Sequence, residues 1–231
     1  MMIPDALRAR ERRIAGEIYT SDSVYRHLLT LCDGCGHRFI GSTGETQAVA
    51  YLLDRLTAYG LYNVHTEEVP LTGWQRGRAL LQTVGRDGWE GACIALPYSP
   101  ASVVTADLLD LGPAVPEMIA ARVSEIQGKI VLVSSANPPG YARSVHRLEK
   151  YARVVQAGAV GFLFVGDEPG QLPQTGGLPV GATIPGVGVS KEVGAALARA
   201  LQAGPLQVRL VVEGDSRSIV AHNVVSELPG V

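Results

Sequence analysis

Cysteine is scarce in this sequence: Cys32, Cys35 and Cys93 are the only three in 231 residues. An odd count argues against a disulfide framework as the device that holds the fold. Aromatic residues make up only 6%, so a core has to be built mainly from aliphatic side chains. Neither sign of charge dominates, with 20 Lys and Arg against 22 Asp and Glu and a formal net charge of -2. A basic patch or stripe is missing, which argues against a nucleic-acid partner. The short run Arg8, Arg10, Arg12, Arg13 is interrupted by Glu11 and reads as a solvated helix face. No stretch is long and apolar enough to span a bilayer, so no membrane role is expected. The segment Met1 to Thr20 lacks the apolar centre and small-residue cleavage site of a secretory signal, so the default expectation is a cytoplasmic chain. What the sequence does have is 46% hydrophobic and 18% charged residues, the balance of a globular protein with a real core.

The chain opens on helix signals. Pro4 suits a first-turn position and Asp5 to Ile18 are good helix formers. A second helix starts near Ser21 or Asp22, with Val24, Leu28 and Leu31 on one face, and ends in Asp33-Gly34-Cys35-Gly36. Ser42 and Glu45 have capping-box spacing ahead of Val49, Leu52, Leu53, Leu56 and Tyr59, with Gly60 as the stop. Asn63 to Pro70 reads as a strand. From Trp74 to about Leu96 two strands joined at Arg86-Asp87-Gly88 are expected, then a strand over Val103–Leu111. Ile130–Val133 and Val160–Val165 read as buried strands. They flank a helix from about Ala142 to Gln156 whose inward residues are Val145, Leu148, Ala152 and Val155. That strand, helix, strand order implies a parallel pair with a right-handed connection. Gly166 to Gly188 reads as loop plus a short strand. Ser190 caps a helix to about Ala203, and two strands close the chain, Leu206–Glu213 and Ile219–Leu228.

Motifs that carry chemistry are hard to find. There is no H-E-x-x-H zinc helix, no G-x-S-x-G nucleophile elbow and no Walker A loop. Gly186-Val187-Gly188 is half of a dinucleotide fingerprint and reads as a loop. His27, His37, His65, His146 and His222 sit at no metal-ligand spacing from one another. His27 and His146 read as surface or half-buried helix residues. Glu67 and Glu68 point to opposite faces of a strand, and Asp167-Glu168 before Pro169-Gly170 fits a turn. Glu213 and Asp215 complete the carboxylate clusters. Cys32-x-x-Cys35 beside His37 has the form of half a zinc site or a redox pair. A structural zinc needs four ligands and no second pair exists, so a helix end and loop is the preferred reading. The residues alone give no catalytic, cofactor-binding or metal residue.

The order of segments is more telling. Gly36-His37-Arg38-Phe39-Ile40-Gly41-Ser42-Thr43-Gly44, a following Ala- and Leu-rich helix, then Gly60-Leu61 and Asn63-Val64, resemble the opening of zinc exopeptidases of metallopeptidase family 28, in the flavour of carboxypeptidase Q. The middle resembles the protease-associated (PA) domain inserted in many of these enzymes. Its matching pieces are Gly128–Val133, Ala157–Phe162 and Ile184–Ser190. His222–Gly230 resembles the strand that re-enters the peptidase domain. The resemblance implies an α/β fold: an N-terminal helical segment and strand of an incomplete zinc-exopeptidase domain (1–73), interrupted by a mixed-sheet PA domain with a βαβ unit (74–216), then a returning strand (217–231).

The resemblance also implies chemistry. Such enzymes hold two zinc ions by His, Asp and Glu, with a bridging water and a Glu base. In relatives the first ligands lie in an H-x-D motif soon after the Asn-Val strand, and Val231 precedes that point. The expectation is therefore the front portion of an aminopeptidase- or dipeptidase-type zinc exopeptidase, inactive alone, with no cofactor of its own although zinc belongs to a full-length relative. The alternative is a non-enzymatic PA-type module that binds protein or peptide. Relatives are often exported, which the missing signal leaves open. The helices from Asp5 to Tyr59 are expected to leave apolar surface uncovered, to be met by a second polypeptide or by self-association. The Gly- and Pro-rich stretches Pro138–Tyr141 and Gly166–Gly188 are candidate contact loops for peptide.

Overall fold

A computed structural model describes residues 4–85 and 88–230. The chain divides into two compact units, one formed by 1–71 with 218–231 and the other by 72–217. No helix among the described residues is long and apolar enough to cross a membrane.

The first unit holds α1 (Asp5–Thr20), α2 (Ser23–Leu29) and α3 (Thr43–Ala58). A wider π turn, Thr30–Gly34, ends α2. The capping reading of α3 holds at Ser42, whose side chain accepts from the Glu45 amide at 3.2 Å. Glu45 reaches back one residue further than the motif requires and accepts from the Gly41 amide. Gly60 stops α3 in the left-handed region at φ 75°. The Leu61 amide bonds the Leu56 carbonyl and the Gly60 amide bonds that of Thr57, a Schellman closure. Neither α1 nor α2 has a buried residue, and α3 buries only Gly44 and Ala48.

The second unit is a mixed sheet with helices on it. The strands are β1 (Tyr62–Val84), β2 (Glu90–Gly91), β3 (Cys93–Ala95), β4 (Ser102–Gly112), β5 (Ile130–Ser134), β6 (Gly161–Val165), β7 (Gly186–Val189) and β8 (Gln207–Glu227), of which the start of β1 up to Leu71 and the end of β8 from Ser218 belong to the first unit. Among the described residues they order as β2-β1-β8-β4-β5-β6-β7-β3. The centre β4-β5-β6-β7 is parallel, while β8 joins β4 and β3 joins β7 antiparallel. Helices α4 (Pro116–Ala121), α5 (Val123–Ile126) and α6 (Arg147–Gln156) lie between the parallel strands in sequence, and α7 (Lys191–Gln202) follows β7. One face of the sheet packs Leu111, Val131, Val133, Phe162 and Phe164 with Ile119, Ile126, Tyr151 and Val154. The other packs Leu108, Ile130, Leu132, Leu163 and Val187 with Leu197 and with Trp74, Leu81, Val208 and Leu210. Strands β5 and β6 are buried on both faces, which is why they read as unbroken apolar runs.

Several expectations need correction. The strands expected over Asn63–Pro70 and from Trp74 are one strand, β1, and the two closing strands are one strand, β8. The second arm of the expected hairpin pairs with β1 at Glu90 and Gly91, and Cys93–Ala95 then switches to β7. Of its turn, Arg86 and Asp87 lie outside the described residues. Helix α6 begins at Arg147, not Ala142, because the exposed His146 caps it and accepts from the Leu148 amide at 3.2 Å. Its inward residues are Lys150, Tyr151 and Val154, while Leu148 and Ala152 are exposed. Helices α4 and α5 were not expected, since neither is long enough to show a period.

Candidate functional site

Gly186-Val187-Gly188 is strand β7, not a loop, and all four residues of that strand are buried. Its glycines serve packing: a Cβ on Gly188 would sit 1.5 Å from the Gln174 carbonyl oxygen. The Cys32-x-x-Cys35 segment lies in the π turn that ends α2 and its cap, with Cys32 exposed and Cys35 half-buried. A Cβ on Gly44 would meet the carbonyl oxygens of His37 at 2.1 Å and Cys35 at 2.5 Å. All three cysteines are free thiols. Burial, with help from Glu90, pushes the Cys93 thiol up to about 11, which leaves it inert as a nucleophile at neutral pH. Among the described residues no three His, Cys, Asp or Glu side chains gather into a metal-binding group.

The histidines do not meet one another in a shared hydrogen bond. His27, half-buried on α2, hydrogen-bonds Tyr51 through Nδ1 and Tyr59 through Nε2 and so ties α2 to α3. His65 Nδ1 bonds the Asn63 carbonyl at 2.6 Å, with Glu67 4.0 Å from its other nitrogen. His37, His146 and His222 are exposed. Glu67, Glu68, Asp167, Glu168, Glu213 and Asp215 form no buried acid pair, and all six are exposed.

The concentration of unusual polar geometry lies elsewhere, at the carboxyl ends of the parallel strands, where open α/β sheets place their crevices. Lys150 is fully buried on α6 and donates from Nζ to the carbonyls of Ser134 at 2.8 Å and Ala136 at 3.1 Å. Desolvation lowers its pKa from 10.5 to about 8, and Asp167 pulls the other way. Between those two carbonyls the Ser135 amide donates to the Val165 carbonyl, while the Ser135 hydroxyl is buried with no hydrogen-bond partner among the described residues. The loop after β5 is held by Asn137, whose side-chain oxygen accepts from the Val145 amide at 3.2 Å.

The stretch from Gly166 to Gly188 is pinned along its length. Glu192 accepts from the amides of Gly170 at 2.9 Å and Gln171 at 3.1 Å. Arg147 Nε donates to the Gly177 carbonyl at 2.9 Å. The Tyr151 hydroxyl donates to the Ile184 carbonyl at 2.9 Å and accepts from its amide at 3.1 Å. The Gly186 amide donates to the Ser99 hydroxyl at 2.8 Å. Both candidate contact loops thus border one end of one sheet, and Lys150 and Arg147 stand between them on α6. Sequence reasoning missed both cations because their partners are backbone carbonyls, which leave no residue-type signature.

This arrangement has a class. Residues 92–197 match the family model of the PA domain. The chain is related to peptidases and aminopeptidases, as the resemblance in its segments implied. Over 201 residues it is 29% identical to leucine aminopeptidase 2 of Trichophyton equinum, a match covering 84% of this chain and 37% of that protein. It is also 29% identical over 143 residues to carboxypeptidase Q of Mus musculus, covering 60% of this chain and 30% of that protein. The fold is that of a peptidase M28 precursor from Shewanella amazonensis SB2B, with a TM-score of 0.75 and 20% identity, covering 98% of this chain and 55% of that one. The chain therefore spans about a third of the length of the curated relatives it matches.

Proposed function

We propose that these 231 residues are the front portion of a zinc-dependent exopeptidase carrying its PA accessory unit, and that this polypeptide by itself does not hydrolyse peptides. The unit formed by 72–217 is the accessory domain, and the residues on either side of it belong to the peptidase domain. The observation that carries the reading is the match to an aminopeptidase across 84% of the chain, which takes in residues beyond the 92–197 of the PA domain itself. The PA domain alone would account for the middle and not for the flanks. One further observation agrees. The helices α1 to α3 leave large apolar side chains uncovered, among them Ile18, Tyr19, Val24 and Leu28, as the flank of a larger domain would.

The test is hydrolysis of aminoacyl p-nitroanilides and dipeptides by the purified 231-residue chain, with zinc added and then removed by a chelator. No turnover above the zinc-only control is expected. Robust hydrolysis that the chelator abolishes would overturn the proposal, because it would require a metal site within these residues.

A further inference from the structure

Arg147 is a cation without a counter-ion. It opens α6 at the carboxyl end of β6, half-buried, and desolvation is the one cause that moves its pKa, downward. No carboxylate pairs with it among the described residues, whereas Arg122, Arg143 and Arg153 on the same unit all have acidic partners. Its guanidinium is nevertheless held firmly. One face lies over the Phe164 ring, 5.7 Å from the centroid. Gly176 lies close against it: a Cβ there would fall 2.5 Å from Cζ and 2.3 Å from Nη1. Gly176 has φ 127°, a conformation open to glycine, so the contact is built into the backbone. Nε is spent on the Gly177 carbonyl, while neither Nη donates to any described protein atom.

A half-buried guanidinium held over an aromatic ring and fixed by its Nε is pre-organised for a planar anion. Holding it so costs free energy that no protein carboxylate repays, since a partly buried cation loses hydration. The loop that holds Gly176 and Gly177 also carries the exposed apolar side chains Leu172 and Val180, a surface suited to a peptide. We propose that Arg147, held against Phe164 and Gly176, is the receptor for a peptide carboxylate at the carboxyl end of the PA-type sheet. The ligand class is a peptide bearing either a free C-terminus or an acidic side chain. The inference rests on the geometry of residues 72–217 and its test reads binding, not turnover, so it stands or falls apart from the peptidase assignment.

The experiment titrates three probes into the 231-residue chain by calorimetry and by amide-shift NMR: N-acetyl-trialanine with a free carboxylate, its C-terminal amide, and an N-acetyl-Glu-dialanine amide. At least one carboxylate probe is expected to bind saturably, with the uncharged amide weaker by about tenfold or more, the loss of one charge-assisted pair. Binding by the first probe alone assigns a free C-terminus; by the third alone, an acidic side chain; by both, the carboxylate itself. Arg147→Gln should weaken the binding probe about tenfold while its thermal midpoint shows the unit folded. Gly176→Ala, which keeps the charge and displaces the guanidinium, should do the same, and it carries the test if the first variant does not fold. Saturation by neither carboxylate probe, or equal binding by a folded variant, would overturn the proposal.

Discussion

Lys150 offers the sharpest quantitative test of the second unit, because its burial sets a definite pH dependence. The ammonium is fully buried and its pKa falls from 10.5 to about 8. A depressed lysine pKa means that the unfolded chain binds more protons than the folded one between those two values. Stability from this group therefore rises with pH from about 8 to about 10.5, and is absent below that window. Linkage across a shift of that size gives about 1.3 kcal/mol gained between pH 7 and pH 9. For a chain of this size that is a rise of roughly 3–5 °C in thermal midpoint. The hydrogen bonds survive the deprotonation. A neutral amine still has two N–H groups, and it meets two carbonyls, those of Ser134 and Ala136. Cys93 opposes the trend in the wild type. Burial raises its thiol to about 11, so its contribution is present below its ordinary 9.0 and is lost as pH rises toward 11. The clean observable is therefore the difference between wild type and Lys150→Met, in which Cys93 cancels. Trp74 and Trp89 both lie within 72–217, so tryptophan fluorescence follows this unit's unfolding. Urea melts at pH 7, 8 and 9 should show the wild type gaining on Lys150→Met by about 1 kcal/mol across the series. Parallel curves, with a constant gap at every pH, would refute the reasoning and place the amine in contact with water.

Gly188→Ala should destabilise the second unit by about 1–3 kcal/mol or abolish its folding, since the new methyl would meet the Gln174 carbonyl in a rigid strand, as thermal melts would show. Tyr25→Lys with Leu28→Lys should leave the thermal midpoint of the chain within about 0.5 kcal/mol of wild type, because both side chains are already more than half exposed. The same pair should reduce any concentration-dependent association seen by sedimentation, and no change there would detach the uncovered helices from association.

Where a signal is local, the sequence shows it. Ser42 and Ser190 cap helices because a short hydroxyl side chain before an apolar-periodic run has few other uses, and Gly60 closes α3 for the mirror-image reason. Strands β5 and β6 announce themselves because burial on both faces leaves no polar position in them. Several failures share a physical origin in glycine, which signals either a turn or the close approach of something else. Gly77 sits where a Cβ would be 1.9 Å from the Glu213 carbonyl oxygen, and Gly214 lies against the Trp74 indole at 2.7 Å. These contacts let β1 and β8 run on; from the sequence Gly214 looks like a break, so β8 reads as two strands, while β1 is divided between Pro70 and Trp74. Gly186 and Gly188 misled in the same way.

The candidate site fails to show for a related reason. Motif searches look for side chains that answer one another, such as paired acids, a His beside a Ser, or cysteines at ligand spacing. Lys150 is answered by the carbonyls of Ser134 and Ala136, and Arg147 by the carbonyl of Gly177 and the flat backbone of Gly176. Every residue has a carbonyl, so those partners are invisible until the parallel strands bring their carboxyl ends together. A charged residue in an amphipathic helix normally reads as solvated, and α6 looked so; the fold inverts that at two positions one turn apart. The useful sequence signal is then the misfit between charge and helical face. Tyr151 and Val154 point inward, and Lys150 lies on the arc they define. A lysine that shares the apolar face of a crossover helix near its first turn points to the mouth of the sheet, and its neighbours are the place to look for a ligand.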